Sequence, residues 1–413
     1  MSSVGEAFAQ RFAAYTGFGA VLSGAGLPIY IYAPKYYADT FGVSLTALGA
    51  MLFALRLFDV VQDPVLGWIA ERLRAGKAVA VGLGAALLAL SMVGLFALAP
   101  PIDPLWWFGL TITGLFSAFS FLSIVFYAQG IAKVRDMKNG HVRLAAWRES
   151  GALLGICIAA VVPTLLVGVV AAPFAVFAWG FAGATALAAF FMWREWTPAP
   201  VTQTPTPISV ILADPVARRL LILALVNATP LAVSSTLFLF YVDARLGAEG
   251  WEGPLLVLFF LAAAVSSPLW SALARRFGEK PVLLCAMLLA IAAFGWTLTL
   301  GLGDVGAFAV ICVLSGATIG ADLTLLPAMF AKRLARIAPN GGQGFGLWSL
   351  VSKFTLAFAA VLLLPLLERS GFSTTGGNPA AALGMLTMLY ALVPSVLKIV
   401  AIVLLALTRL EET

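Results

Sequence analysis

Twelve apolar stretches, most of them about 20 residues long or more, follow one another along this chain with only short charged segments between them. They cover about 13–37, 43–70, 78–99, 105–132, 144–168 and 173–193 in the first half. The second half adds about 217–243, 254–274, 281–301, 305–331, 344–367 and 381–408. A run of roughly 20 apolar residues spans the hydrocarbon core of a bilayer as a helix. Backbone groups in lipid must be hydrogen-bonded internally, so runs of this length predict a bundle of helices and not an open sheet. With 62% hydrophobic and 11% charged residues, an ordinary soluble domain is excluded. The first run is too long, and too rich in Gly and Pro, to be a cleaved signal peptide.

Charge predicts the orientation. If the N-terminus is inside, 18 of the 25 Lys and Arg residues fall on inner segments, Arg72, Arg74 and Lys77 among them. Three (Lys35, Arg245, Arg369) fall outside and four (Arg56, Arg148, Lys353, Lys398) lie within runs. The positive-inside rule then predicts a chain in the inner membrane with both termini in the cytoplasm. The net charge of +6 is accounted for by anionic headgroups, with no nucleic acid needed. Cys157, Cys285 and Cys312 sit in apolar runs without CxxC spacing and read as core residues. The single His141 lies in a basic loop. These parts assemble neither a metal set nor a nucleophile–base pair, which disfavours an enzyme.

The Pro/Thr stretch from Thr197 to Pro207 reads as an extended linker and splits the runs six and six. The expected organisation is a six-helix bundle over 1–196, a linker and interfacial segment over 197–216, and a second six-helix bundle over 217–413. A weak repeat relates Asp63-Pro64-Val65-Leu66-Gly67-Trp68 to Ser267-Pro268-Leu269-Trp270-Ser271-Ala272, each followed by a basic turn. Halves related in this way, with pseudo-two-fold symmetry, are the pattern of the major facilitator fold.

The second run is interrupted by Arg56-Leu57-Phe58-Asp59-Val60-Val61-Gln62-Asp63-Pro64. On a helix, Arg56, Asp59 and Asp63 stand at i, i+3 and i+7 and share one face. Ionisable groups at membrane depth cost about 2.5–3.5 kcal/mol each on insertion scales, and they face a cavity or one another. Two carboxylates against one guanidinium leave a formal charge of −1 that a cation would neutralise, which points to an ion-coupled transporter. The alternative is that Arg56 neutralises one carboxylate as a structural pair.

From Arg56 to Gly67 the chain resembles the glycoside–pentoside–hexuronide:cation symporters, the melibiose-permease branch of the major facilitator superfamily. That family carries Arg-x-x-Asp-x-x-Asn-Asp-Pro-x-x-Gly, and here the segment has Arg56, Asp59, Gln62, Asp63, Pro64 and Gly67. The upstream Tyr36-Tyr37-Ala38-Asp39-Thr40-Phe41-Gly42-Val43-Ser44 is similar to the family's Tyr-Tyr-Thr-Asp-x-x-Gly-x-Ser segment. The resemblance implies a cation site at Asp59, Gln62, Asp63 and Ser120, with Asp59 and Asp63 as metal ligands only if the ion is sodium. Gln62 is one methylene longer than the family's Asn, which suits a proton better than sodium.

The same resemblance aligns the family's two sugar-binding acids with Ser23 and Ser123, so charge-assisted recognition is lost there. It matches Arg148 to a substrate-binding arginine, which could clamp a carboxylate, sulfonate or phosphate. The alternative for Arg148 is an internal pair with neighbouring charges such as Asp59 or Asp63. Glu149 stands about 100° around the helix from Arg148 and is expected at a cytoplasmic gate. Asp322 lies in the middle of the tenth run. Lys353, aligned with a family lysine near the cation site, is expected to pair with Asp322 or to reach Asp59. Lys398 is expected to snorkel or face a crevice. Tyr15, Tyr30, Tyr127, Trp147 and Trp348 offer rings for stacking on a substrate. The substrate set is thus Ser23, Ser123, Tyr127, Arg148 and Lys353, with Arg56, Glu149 and Asp322 in coupling or gating.

The expected function is secondary active transport: proton- or sodium-coupled symport of a polar organic solute, such as a glycoside or sugar acid, by alternating access. The alternative is proton-coupled export or carriage of an amphipathic or lipid-like compound, for which Phe119, Phe121 and Phe126 would supply apolar contact. No cofactor is expected beyond the coupling ion. The expected partners are the solute and membrane lipid, and the expected state is a monomer.

Overall fold

The computed structural model describes residues 3–26, 32–73, 76–134, 137, 139–166, 169–196, 206–248, 250–339, 341–372 and 377–408. Every regular element among them is helical. The first half contains α1 (Ser3–Gly24), α2 (Ala33–Phe41), α3 (Leu45–Arg72), α4 (Lys77–Phe96), α5 (Pro104–Lys133), α6 (Gly140–Leu166) and α7 (Pro173–Met192). A short α8 (Ile208–Ala213) leads to α9 (Pro215–Phe240), α10 (Glu252–Phe277), α11 (Glu279–Trp296) and α12 (Val305–Ile337). The chain continues with α13 (Gly342–Arg369), α14 (Ala380–Thr387) and α15 (Val393–Leu407). A π-helical turn, Met388–Leu392, joins α14 to α15. Nine segments among the described residues are long and apolar enough to cross a membrane. The protein is therefore an all-α, multi-pass membrane protein.

The apolar runs and the helices coincide closely except at the start. Where one run is predicted over about 13–37, α1 ends at Gly24 and a separate α2 begins at Ala33. Tyr30 and most of the Pro/Thr linker, 197–205, lie outside the described residues. Helix starts follow from local chemistry. Asp103 caps α5 by accepting from the backbone N–H of Leu105 (3.0 Å) and Trp106 (3.3 Å), with Pro104 in the first turn. Gly42, at φ +69°, ends α2 in the left-handed conformation that a side chain would strain.

Contacts divide the chain into two units: 1–211 with 334–350, and 212–333 with 351–413. In the first unit, α1 lies along α6, α4 packs on α5 and α7, and α3 packs on α5. The α1–α6 approach depends on glycine. A Cβ at Gly151 would stand 2.1 Å from the Thr16 carbonyl oxygen, and one at Gly155 would stand 2.0 Å from that of Ala20. Backbones brought this close leave no room for any side chain, the small-residue packing of membrane helices. Phe126 fills the adjoining core, its ring 5.4 Å from Tyr15 and 5.1 Å from Phe18.

In the second unit, α15 packs on α9 and α11, and α10 packs on α11. Its core centres on Tyr241 and Tyr390, stacked at 4.2 Å, with Phe308 at 5.5 Å from Tyr241. Asp214 caps α9 through the Ala217 N–H (2.7 Å) and accepts from Nε of Arg333 (3.0 Å). Burial disfavours its charged form, but the bonds from Arg333 and Ala217 outweigh that and hold the carboxyl below the usual range.

Two measurements on detergent-solubilised protein follow. Gly151→Ala and Gly155→Ala should each lower stability by about 1–3 kcal/mol. Gly17→Ala on the same α1, where nothing lies within 4 Å, should be stabilising by about 0.5–1 kcal/mol. A carboxyl held low in the folded state adds stability above its unfolded pKa and loses it as pH falls through the folded value. The Tm should therefore fall with acidification below about pH 4. Asp214→Asn should flatten that fall and cost about 1–2 kcal/mol at neutral pH, read by thermal unfolding across pH.

Candidate functional site

The face of α3 predicted to carry charge is buried. Asp59 and Asp63, one helical turn apart, are 1% and 0% exposed. Gln62 donates from Nε2 to Oδ1 of Asp59 at 2.7 Å, and its Oε1 accepts from the Ser117 hydroxyl at 2.9 Å. Asp63 Oδ2 accepts from the Ser349 hydroxyl at 2.7 Å. Gln62 thus links Asp59 to α5 through Ser117, whereas Asp63 is bonded directly to a residue in the first turns of α13. Pro64, inside α3, brings no N–H to the helix ladder at this place.

Ser117 and Ser349 were not singled out from the sequence. Ser120, the hydroxyl expected here, lies about one turn beyond Ser117 on α5 and is fully buried. The side chain of Arg56 lies outside the described residues. Serine is too common in membrane helices for Ser117 or Ser349 to stand out in sequence, and only tertiary packing selects them.

The motif's last residue has a steric role. A Cβ at Gly67 would be 2.9 Å from the Gly342 carbonyl oxygen, and one at Gly342 would be 2.8 Å from that of Gly67. One turn on, the Glu71 carboxylate accepts from the backbone N–H of Gln343 (2.8 Å) and of Thr206 (3.0 Å). Glu71 therefore satisfies a donor at the start of α13, where a helix has unpaired N–H groups and a positive dipole end. This close seam delivers Ser349 to Asp63.

A second cluster joins α5 and α6. Glu149 Oε1 accepts from Nε of Arg148 (2.8 Å) and from the Tyr127 hydroxyl (2.8 Å). The Arg148 guanidinium lies over the Tyr127 ring, its Cζ 3.6 Å from the ring centre. The sequence set Glu149 apart from Arg148 by helical angle, and offered neighbouring charges, Asp59 or Asp63 among them, as internal partners of Arg148. The structure instead joins the two neighbours directly, because both side chains are long enough to reach across 100° of helix. This bond uses Nε and leaves the paired terminal amino groups outside it. Ser23 on α1 and Ser123 on α5 are half-buried.

Two of the proposed stacking or contact rings are spent on packing. Tyr15 and Phe126 are 0% and 1% exposed and pack on each other, so neither presents a face to a solute.

In the second unit, the expected Lys353–Asp322 pair is replaced by another. Asp322 on α12 takes an ion pair from Lys398 on α15, and Lys398 also donates to Oδ1 of Asn227 on α9 at 2.8 Å. Lys353, on α13, is buried. Asp322 and Lys398 are each 6% exposed, so Lys398 does not snorkel. The signal was present in sequence: Asn227 and Lys398 interrupt apolar runs just as Asp59 does, and the same cost of burial applies. The sequence offers Asp322 to Lys353 and leaves Lys398 to snorkel or face a crevice; Lys398 does line a cavity, and there it takes Asp322.

The profile of the MFS/sugar transport protein family matches residues 12–412. The chain belongs to the major facilitator superfamily. Similar solved structures include a bacterial homologue of the iron transporter ferroportin in an outward-facing state, with a TM-score of 0.69 at 15% identity. That comparison covers 94% of this chain and 99% of the other. The same homologue with soaked iron gives a TM-score of 0.71 at 14% identity, covering 96% and 99%. At such identity the likeness speaks for the fold alone, which is the all-helical fold expected of the superfamily. This superfamily member is accordingly a transporter.

Removing one partner of a buried ion pair strands the other, at a cost of about 3–5 kcal/mol. Arg148→Met and Glu149→Gln should each lower the Tm of the purified transporter. The double variant R148M/E149Q should lower it by less than the two single effects combined, as thermal unfolding would show.

Proposed function

We propose that this transporter is a proton-coupled symporter of a polar organic solute, with Asp59 as the proton carrier and Asp63 as its partner. The observation that carries this reading is the pair of fully buried carboxylates one turn apart on α3, each held by a neutral donor from a side chain. A carboxylate at membrane depth is costly to keep charged, so a buried pair of carboxyls is suited to taking up and releasing a proton. A sodium ion would call on oxygens from the same side chains. Gln62, however, turns its nitrogen toward Asp59 and its oxygen toward Ser117. A sodium site would need that amide turned over, whereas a proton needs no rearrangement.

The solute is best read as a glycoside or a sugar acid, in keeping with the family's description as sugar transporters. Arg148, with its terminal amino groups outside the Glu149 bond, would take an acidic or hydroxyl oxygen. Tyr127 holds that guanidinium in place. Ser23 and Ser123 would complete the grip, with Arg56 and Glu149 tuning the conformational balance, and Lys353 and Asp322 would serve substrate and balance within the second unit. Of the three rings that an amphipathic cargo would call on, Phe126 is packed in the core. Transport would proceed by alternating access in the inner membrane, by a monomer with both termini in the cytoplasm.

The test is uptake of labelled sugars and sugar acids into proteoliposomes under an imposed pH or sodium gradient. Asp59→Asn should reduce pH-driven accumulation by about tenfold or more while leaving substrate binding measurable. Accumulation that survives unchanged in both Asp59→Asn and Asp63→Asn, or that responds only to sodium, would overturn the proton reading.

A further inference from the structure

The second unit contains a cavity of about 60 Å³ that the coupling scheme does not use. It lies among α9, α10, α11, α12 and α15, and Asp322, Lys398 and Asn227 are in its wall. A neighbouring cavity of about 50 Å³ shares Leu231, Ser234, Phe259, Phe294 and Ser315 with it. Together they have room for several waters or for one solute of a few carbon atoms.

The polar groups of this wall have a definite bias. Oδ1 of Asp322 is buried and accepts no hydrogen bond among the described residues. The hydroxyls of Ser234, Ser315, Thr318 and Ser395 donate to carbonyls of their own helices at 2.6–2.8 Å. Their protons are thereby spent, and their lone pairs remain as acceptors. Lys398 supplies three donors, of which two go to Asp322 and Asn227. The wall is therefore rich in acceptors, and its one ion pair carries no net charge.

A ligand for such a wall needs several hydrogen-bond donors and no charge of its own. An ammonium would compete with Lys398 for Asp322, and a carboxylate would compete with Asp322 for Lys398. A hydroxyl does neither: it can donate to Oδ1 of Asp322 and accept from the ammonium at once. Pro230, Phe259, Phe294 and Pro394 supply apolar surface for the carbon chain of such a compound.

We propose that this cavity is a second binding site of the transporter, specific for small uncharged polyhydroxylated solutes, with Asp322 and Lys398 bridging one ligand hydroxyl. The inference goes beyond the coupling reading and requires neither Asp59 nor Asp63. An ion pair buried at this depth is then held ready for the ligand, with one carboxylate oxygen that no protein group among the described residues engages.

The test is equilibrium binding of labelled erythritol and xylitol to the full-length protein in lipid nanodiscs, with ethanolamine and glycolate as charged counterparts. Saturable polyol binding is expected, with the charged probes weaker. The double variant Asp322→Leu with Lys398→Met removes both charges and strands neither. It should bind the polyols at least about tenfold more weakly. If that variant does not fold, Asp322→Asn with Lys398→Gln keeps the side-chain volumes closer and should show the same loss. Asp59→Asn with Asp63→Asn should bind polyols as the parent does, even where it no longer accumulates solute. The proposal is overturned if neither polyol binds saturably, if the Asp322/Lys398 variants bind as tightly as the parent, or if a charged probe binds best. Loss of polyol binding in the Asp59/Asp63 variant alone would also overturn it, by moving the site to the first unit.

Discussion

A carboxylate or ammonium at membrane depth has no water to solvate it, so its partners must come from the protein itself. This constraint organises the polar interior of both units. Asp59 is tied to Gln62, Asp63 to Ser349, Glu149 to Arg148 and Tyr127, and Asp322 to Lys398. The partners differ in kind. Amide and hydroxyl donors are among the partners of Asp59 and Asp63, and cations are among those of Glu149 and Asp322. Removing one member of a buried ion pair strands the other.

Bringing these partners together takes close backbone approach, and glycine supplies it. Gly151 and Gly155 let α1 lie against α6, the helix that carries Arg148 and Glu149. Gly67 and Gly342 let α3 meet the start of α13, which places Ser349 against Asp63. Glu71 secures the same seam through the Gln343 N–H. A charged motif on one helix is consequently completed by residues nearly 300 positions away in sequence, with Asp63 and Ser349 separated by 286.

The first and second units solve the burial problem with different chemistry. The first has its acids in contact with α5, α6 and the early part of α13. The second confines its ion pair to a cavity whose hydroxyls have given up their protons to the helix backbone. Such hydroxyls are acceptors only, and this gives the cavity a preference that residue names alone would hide. Serine and threonine read as donors or acceptors until the partner of each proton is known.

By itself, the sequence determined the all-helical membrane fold, the position of nearly every helix, and the burial of charge on α3. These follow from run length and from the price of a charge in an apolar segment, both local properties. The tertiary structure decided which donors meet those charges. It selected Ser117 and Ser349 for the α3 cluster, bonded Arg148 to its neighbour Glu149, and gave Asp322 to Lys398 in place of Lys353. It also withdrew Tyr15 and Phe126 from any contact with solute by stacking them in the core. Pairing of this kind depends on side-chain reach and on which helix faces touch, and these exist only once the helices are packed.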